Sequence, residues 1–294
     1  MHYLIIANEF SGTDKGHKVL LEVENYLKDK SIEFTTWKTQ YATHATELAR
    51  NAISQNHKDI IVVGGDGTFN EVINGIDLNN CKDIRLGLVP SGSGNDFVRN
   101  TNIKGSTNQI LDYILNSEPS LVDCCTVNGA PFMNICGFGL DVDLIVRQAK
   151  IKKIFKGKIS YYVALLVTLF NIKFKEVTYA IDDNEPIKSK ILLIAVANGS
   201  TYGGGLPVTP IAKIQDGILD VCVINKMSRF KIPYLLFKFL KGTHIKEKKY
   251  VNYYKCKKVC VECDSDSPLN IDGELLLHTP CVFEIIPKCV NIYI

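Results

Sequence analysis

No apolar run in this 294-residue chain is long enough to cross a bilayer as a helix. The longest, Ile159 to Phe170, covers about twelve positions against the ~20 that a span requires, which excludes a helical membrane anchor within it. A large charge of one sign is missing too. The net charge of +3 is too small to imply a nucleic-acid partner. No basic n-region with an apolar core precedes the first strand-like run, Tyr3-Leu-Ile-Ile-Ala7, so a cytosolic protein without a secretory leader is expected. Its ten cysteines are then expected as reduced thiols. No heptad pattern is present to set an oligomeric state, and a homodimer stays open.

What is present describes a well-packed protein, 46% hydrophobic and 22% charged, and too long for one comfortable core. Strand patterns near residues 3 to 7, 33 to 37, 59 to 63 and 85 to 89 alternate with helical stripes. Val19, Leu20, Val23 and Leu27 form one stripe, and Leu48, Ala49, Ala52 and Ile53 the next. This alternation predicts α/β structure with a doubly wound parallel sheet. After about Leu121 the pattern changes to β-rich runs, Leu192 to Ala197, Leu219 to Ile224 and Val282 to Ile286, which predict a second, mainly antiparallel β domain.

The most informative block is Gly64-Gly65-Asp66-Gly67-Thr68-Phe69-Asn70-Glu71, directly behind the buried-strand run Ile60 to Val63. A strand ending in paired glycines lets backbone N–H groups approach an anion, because no Cβ intervenes. Thr68 and Glu71 have capping-box spacing, which predicts a helix opening at Thr68 with its positive end toward the same loop. A carboxylate at Asp66 inside an anion site points to a divalent cation, and so to a nucleotide bound with magnesium. Alone, Gly-Gly-Asp-Gly is equally a tight turn. A second strand end, Leu86 to Val89 followed by Pro90-Ser91-Gly92-Ser93-Gly94-Asn95-Asp96, favours the ligand loop, since neighbouring strand ends carry the ligands of α/β folds. No third glycine completes a dinucleotide fingerprint after either loop, and no Walker lysine-serine pair is present. Hydride transfer and an ordinary P-loop are both disfavoured.

These two blocks resemble the catalytic-domain signature of the diacylglycerol kinase family, which also holds sphingosine and ceramide kinases and bacterial soluble lipid kinases. Further segments follow in family order: Asn8-Glu9-Phe10-Ser11-Gly12, Thr39 with His44-Ala45, Tyr202-Gly-Gly-Gly205-Leu-Pro-Val-Thr-Pro210, Asp216-Gly217-Ile218-Leu-Asp220 and Ile271-Asp272-Gly273-Glu274. The resemblance implies an ATP- and magnesium-dependent lipid kinase with a nucleotide domain over residues 1–122, completed by 283–294, and a β-sandwich acceptor domain over 123–282. It implies that Asn8, Ser11, Gly12, Thr39, Gly65, Asp66, Gly67, Thr68, Asn70, Glu71 and Ser93 surround the nucleotide. Asp66 and Asp96 would orient magnesium, and Glu274, supported by Asp272, would be the general base. A structural magnesium would take the Asp216 carboxylate and the carbonyls of Lys213 and Ile218. Diacylglycerol is the expected acceptor. Phosphatidylglycerol, a sphingoid base or a soluble acceptor such as NAD would use the same phosphate machinery, as would a non-catalytic nucleotide- and lipid-binding module.

From the residues alone, Asp272-Gly273 and Asp216-Gly217 are also hairpin turns. Two departures from the family pattern stand out: Glu9-Phe10 where proline is usual, and Thr43 where glycine commonly precedes His-Ala. Cys256, Cys260 and Cys263 have the spacing of an iron–sulfur site, but small buried hydrophobes explain free cysteines better. Basic residues flank two apolar segments of the second domain: Arg147, Lys150, Lys152, Lys153, Lys156 and Lys158 before Ile159 to Phe170, and Lys241, Lys246, Lys248 and Lys249 after Tyr234 to Leu240. Either solvated helix faces or a surface for anionic lipid headgroups fits this pattern, and a bilayer-resident substrate favours the second.

Overall fold

The structure, a computed structural model, describes residues 2–151, 158–263 and 267–294. Strands β1 (His2–Ala7), β2 (Glu33–Lys38), β3 (Asp59–Gly64) and β4 (Arg85–Pro90) alternate with helices α1 (Ser11–Asp29), α2 (His44–Ser54) and α3 (Asp66–Asn74), and α4 (Thr107–Asn116) follows β4. The strands are parallel in the order β4-β3-β1-β2. β1 and β3 are buried on both faces, which explains their unbroken apolar runs. Ala45, Ala49 and Ala52 of α2 with Phe69, Val72 and Ile73 of α3 cover one face of the sheet. Val19, Leu20, Val23 and Leu27 of α1 with Ile110, Leu111 and Ile114 of α4 cover the other, so the sheet is doubly wound as expected.

The chain continues through β5 (Ser120–Val127), β6 (Ala130–Phe132), β7 (Ile135–Gly139), α5 (Leu140–Ile151), α6 (Lys158–Phe170), β8 (Lys175–Ile181), β9 (Ile187–Ala197) and β10 (Leu219–Asn225). It then forms α7 (Ile232–Leu240), β11 (Val251–Cys256), β12 (Lys258–Cys263), β13 (Pro268–Ile271), β14 (Glu274–His278) and β15 (Cys281–Ile292). Pairing in this part is antiparallel. Its sandwich-like interior is built from Phe132, Phe138, Tyr179, Val196, Val221, Val261 and Phe283 among others. A separate apolar layer on the outer face of β9 and β10 takes in Leu169, Ile172, Ile232, Leu235 and Phe239, which seats α7 and the end of α6 there.

Strand β15 belongs to both halves. Its first residues pair with β12, its length follows β5, and Asn291 and Ile292 pair in parallel with Arg85 and Leu86 of β4. Its register shifts between Ile286 and Val290, and Lys288 lies there at φ +51°. The fully buried Asp123 of β5 holds this bulge by accepting from the N–H of Lys288 at 2.8 Å and of Gly217 at 2.7 Å.

Two sequence expectations change. Helix α3 opens at Asp66 rather than Thr68, with Gly65 as its cap residue and no side-chain cap. Glu71 does not close a box on its own helix. It accepts instead from the N–H groups of Thr43 at 3.0 Å and Ala45 at 3.1 Å, capping α2. Of the basic run, Arg147 and Lys150 lie in α5, Lys152, Lys153 and Lys156 fall outside the described residues, and Lys158 opens α6. Cys256 sits on β11 while Cys260 and Cys263 sit on β12, and among the described residues no three His, Cys, Asp or Glu side chains converge to hold a metal.

Candidate active site

The site is built where β1, β3 and β4 end side by side, at the point where the strand order reverses. Their loops touch through backbone, which only glycine permits. A Cβ on Gly92 would lie 2.5 Å from the Gly65 Cα. One on Gly12, at φ +61°, would lie 2.1 Å from the Ser91 carbonyl oxygen. The Ser11 and buried Ser91 hydroxyls meet at 2.5 Å, and the Asn8 amide donates to Thr68 Oγ1 at 3.2 Å. Thr39, after β2, bonds through its N–H to the Ala7 carbonyl and joins the same rim. Ser93 is exposed at the tip of the β4 loop. Asn70 is buried one turn behind the loops with its side chain bonded to Asn74, and Glu71 is spent on α2 as described.

Thr43 has φ +70°, which accounts for glycine being usual at that position. The Glu9 charge is taken up by His17 at 2.7 Å and Lys38 at 3.1 Å, and these partners hold its carboxyl below the usual range. It is therefore compensated rather than added to the phosphate loops.

Two carboxylates face the loops from the first half. Asp66 accepts from the Phe97 N–H at 3.0 Å, and Asp96 from the Gly204 N–H at 2.7 Å, with the Arg99 guanidinium 3.5 Å away. A Cβ on Gly94 would sit 3.1 Å from Asp66 Oδ2 and 3.2 Å from Asp96 Oδ2, so both oxygens converge on that glycine. Burial, then repulsion from Asp66, raises the Asp96 pKa, against the opposing Gly204 hydrogen bond. Its Oδ1 is buried without a hydrogen bond and faces the Arg99 guanidinium at 3.5 Å. The convergence of Asp66 Oδ2 and Asp96 Oδ2 at the phosphate loops is an oxygen donor set that fits a hard, hydrated cation such as magnesium.

The second half supplies the β13–β14 hairpin. Asp272 (φ +47°) and Gly273 (φ +99°) form its turn, so the hairpin reading and the site reading describe one structure. The Asp272 carboxylate accepts from three successive N–H groups: Met133 at 3.0 Å, Asn134 at 3.2 Å and Ile135 at 2.8 Å. Burial still raises its pKa to about 7 against those bonds. Glu274 reaches back toward α3, where its Oε1 lies 3.4 Å from where a Gly67 Cβ would be. Glu274 is exposed at the cleft, and partial desolvation of its carboxyl there, with the Glu71 charge, raises its pKa. On the hairpin's other side, Asp141 of α5 accepts from the Asn270 amide at 3.0 Å, and Asn270 Oδ1 accepts from the Gly273 N–H at 3.0 Å.

Sequence reasoning missed the link between the halves. Asn100 donates to the Asp96 carbonyl at 3.1 Å and to Asn134 Oδ1 at 3.1 Å, and accepts from the Ser200 N–H and hydroxyl at 2.7 Å. Asn134 donates to the Thr201 carbonyl at 2.8 Å. Gly199 must be glycine here, as a Cβ would lie 1.9 Å from Asn134 Oδ1. The available signal was Asn198-Gly199-Ser200, a small polar loop directly after a strand.

Away from the cleft, Asp216 lies 3.4 Å from the Lys255 ammonium, which is also 3.8 Å from the buried Asp220. Asp216 is the carboxylate that, with the Lys213 and Ile218 carbonyls, the resemblance assigns to a structural magnesium, and Lys255 partly balances its charge.

Glycine loops at the ends of a parallel sheet, faced by carboxylates on a hairpin from a β-sandwich-like half, define a kinase built on the fold that lipid and NAD kinases share. Residues 2–127 match the family described as diacylglycerol kinase catalytic domain, and residues 135–294 match the YegS C-terminal NAD kinase beta sandwich-like domain. The diacylglycerol kinase of Bacillus subtilis is 30% identical over 92% of this chain and 88% of its own, and that of Staphylococcus carnosus 27% identical over 98% and 94%. A crystal structure of a diacylglycerol kinase from Bacillus anthracis superposes with a TM-score of 0.76 at 25% identity, covering 99% of this chain and 96% of that one. An NAD kinase from Archaeoglobus fulgidus in complex with ATP shares the fold, with a TM-score of 0.55 at 13% identity over 100% and 94% of the two chains. The chain belongs to the diacylglycerol kinase family of lipid kinases.

Proposed function

We propose that the protein transfers the γ-phosphoryl group of ATP to the hydroxyl of diacylglycerol, making phosphatidic acid, with magnesium, from the cytosolic side of a membrane it meets peripherally. Residues 1–122 with 283–294 form the nucleotide half in this proposal, and 123–282 the acceptor half. The observation that carries it is the approach of Glu274, from the second half, to Gly67 in the first turn of α3, directly behind the glycine loop. A carboxylate there stands beside the phosphates with its affinity for protons raised, as a base for an attacking hydroxyl requires. The loops at Asn8 to Gly12, Gly65 to Thr68 and Ser91 to Gly94 position the phosphates through N–H groups and hydroxyls. Asp66 and Asp96 would hold magnesium, which when bound neutralises charge on the transferring phosphoryl group. Asp272 fixes the turn and so the reach of Glu274.

The test is transfer of label from γ-labelled ATP to diacylglycerol, phosphatidylglycerol, sphingosine and NAD, the lipids in mixed micelles. Label in diacylglycerol that Glu274→Ala abolishes while ATP binding persists is the expected result. Label in NAD alone, or full activity in the variant, would overturn the proposal.

A further inference from the structure

Surface helices of soluble proteins present polar faces to water, and α7 does the reverse. Ile232, Leu235 and Phe239 are buried against the layer over β9 and β10, yet Tyr234, Phe237 and Leu240 on the outward side are 45%, 55% and 53% exposed. Phe230, one turn earlier, is 94% exposed. The end of α6 adds Leu166, Val167 and Phe170, the last 80% exposed. The two segments adjoin: Leu169 and Ile172 share the apolar layer with α7, and Arg229 donates to the Ile172 carbonyl at 3.3 Å.

The surroundings of this patch are cationic. Arg229, Lys231, Lys238 and Lys241 rise from the same segment, with Lys241 4.2 Å from the Phe237 ring centroid and Lys238 5.6 Å from that of Tyr234. The exposed Lys173 and Lys226 flank it. Glu247 lies against it, accepting from the Tyr234 hydroxyl at 2.9 Å and pairing with Lys238 at 3.6 Å. Aromatic rings rimmed by lysine and arginine suit the boundary between acyl chains and anionic headgroups. A second copy of this chain suits it less, because a two-fold contact would lay this cationic face on itself. The same layer includes Tyr202 and Leu206, which bracket the loop whose Gly204 N–H holds Asp96. The patch and the catalytic cleft therefore share one wall.

We propose that Phe230 to Lys241, with the end of α6, is the surface by which the protein docks on membranes containing anionic phospholipid. Phe230 and Phe237 enter the interface and the basic residues meet the headgroups. This rests on the lipid-kinase reading for its purpose but not for its test, because vesicles without any acceptor serve as the probe. Sedimentation with phosphatidylcholine vesicles, with and without phosphatidylglycerol, compares the wild-type chain with Phe230→Ser/Phe237→Ser and with Lys231→Glu/Lys241→Glu. The wild type is expected to bind the anionic vesicles and release in high salt, and each double variant to bind about tenfold more weakly or worse. Kinase activity on a water-soluble short-chain diacylglycerol should stay unchanged in both, which shows intact folding and keeps failure of docking distinct from failure of the catalytic reading. Three results would each overturn the proposal: no wild-type binding to anionic vesicles, variants binding as the wild type does, or a wild-type dimer that the Phe variants dissociate.

Discussion

Replacing Asp141 by asparagine isolates what a buried charge beside the β13–β14 hairpin costs. Asp141 is 2% exposed, Oδ1 has no partner, and burial raises its pKa from 3.8 to about 6 against the hydrogen bond from Asn270. The folded state then binds this proton more tightly than the unfolded chain. Stability is greatest below the unfolded pKa, falls as pH rises through the interval up to the folded value, and is level above it. A displacement of about two pH units corresponds to about 3 kcal/mol in full, of which about half falls between pH 5 and pH 8. Asparagine can still accept from Asn270 through its carbonyl oxygen, and it carries no charge at any pH. The difference in unfolding free energy between Asp141→Asn and wild type should therefore shift in favour of the variant by about 1.5 kcal/mol between pH 5 and pH 8. Urea unfolding at the two pH values measures it. A difference independent of pH would show that the ionised carboxylate is not paying a desolvation cost, and the reasoning from burial would fail.

Other outcomes follow from single contacts. Gly92→Ala drives a Cβ to 2.5 Å from the Gly65 backbone, and overpacking of roughly 1–3 kcal/mol should weaken ATP binding about tenfold by calorimetry. Thr43→Gly relieves a left-handed conformation at φ +70° and should stabilise the protein by about 0.5–1 kcal/mol in thermal unfolding, the strain removed exceeding the entropy glycine adds. Asn134→Ala leaves Asn100 Nδ2 and the Thr201 carbonyl without this partner and should cost roughly 2–4 kcal/mol of stability. Turnover should fall with it more than ATP affinity does, which a comparison of kcat with nucleotide Kd would show.

The sheet was legible because its inner strands β3 and β4 are buried, so that Ile60 to Val63 and Leu86 to Val89 read as unbroken apolar runs. The loops were legible for the same reason: close backbone approach at Gly12, Gly65 and Gly92 leaves a mark in composition. The capping box at Thr68 was misread because Glu71 has a better use across the gap to α2, where two N–H groups at the start of that helix need an acceptor. Asn100 and Asn134 were invisible because a single amide bridging distant segments has no local pattern. Their partners are set by the meeting of two halves that only the folded chain brings together.

Strand β15 has a consequence for how the molecule is made. The β4 edge of the parallel sheet is closed by Asn291 and Ile292, which reach it only after the β-rich half has been threaded between. During synthesis the first half leaves the ribosome with the β4 edge unpaired at Arg85 and Leu86, and it must wait for a strand translated much later. This long-range closure raises contact order and slows the final step. A chain interrupted before β15 would therefore lose more than its last strand: it would leave the nucleotide half as an unpaired template open to other chains.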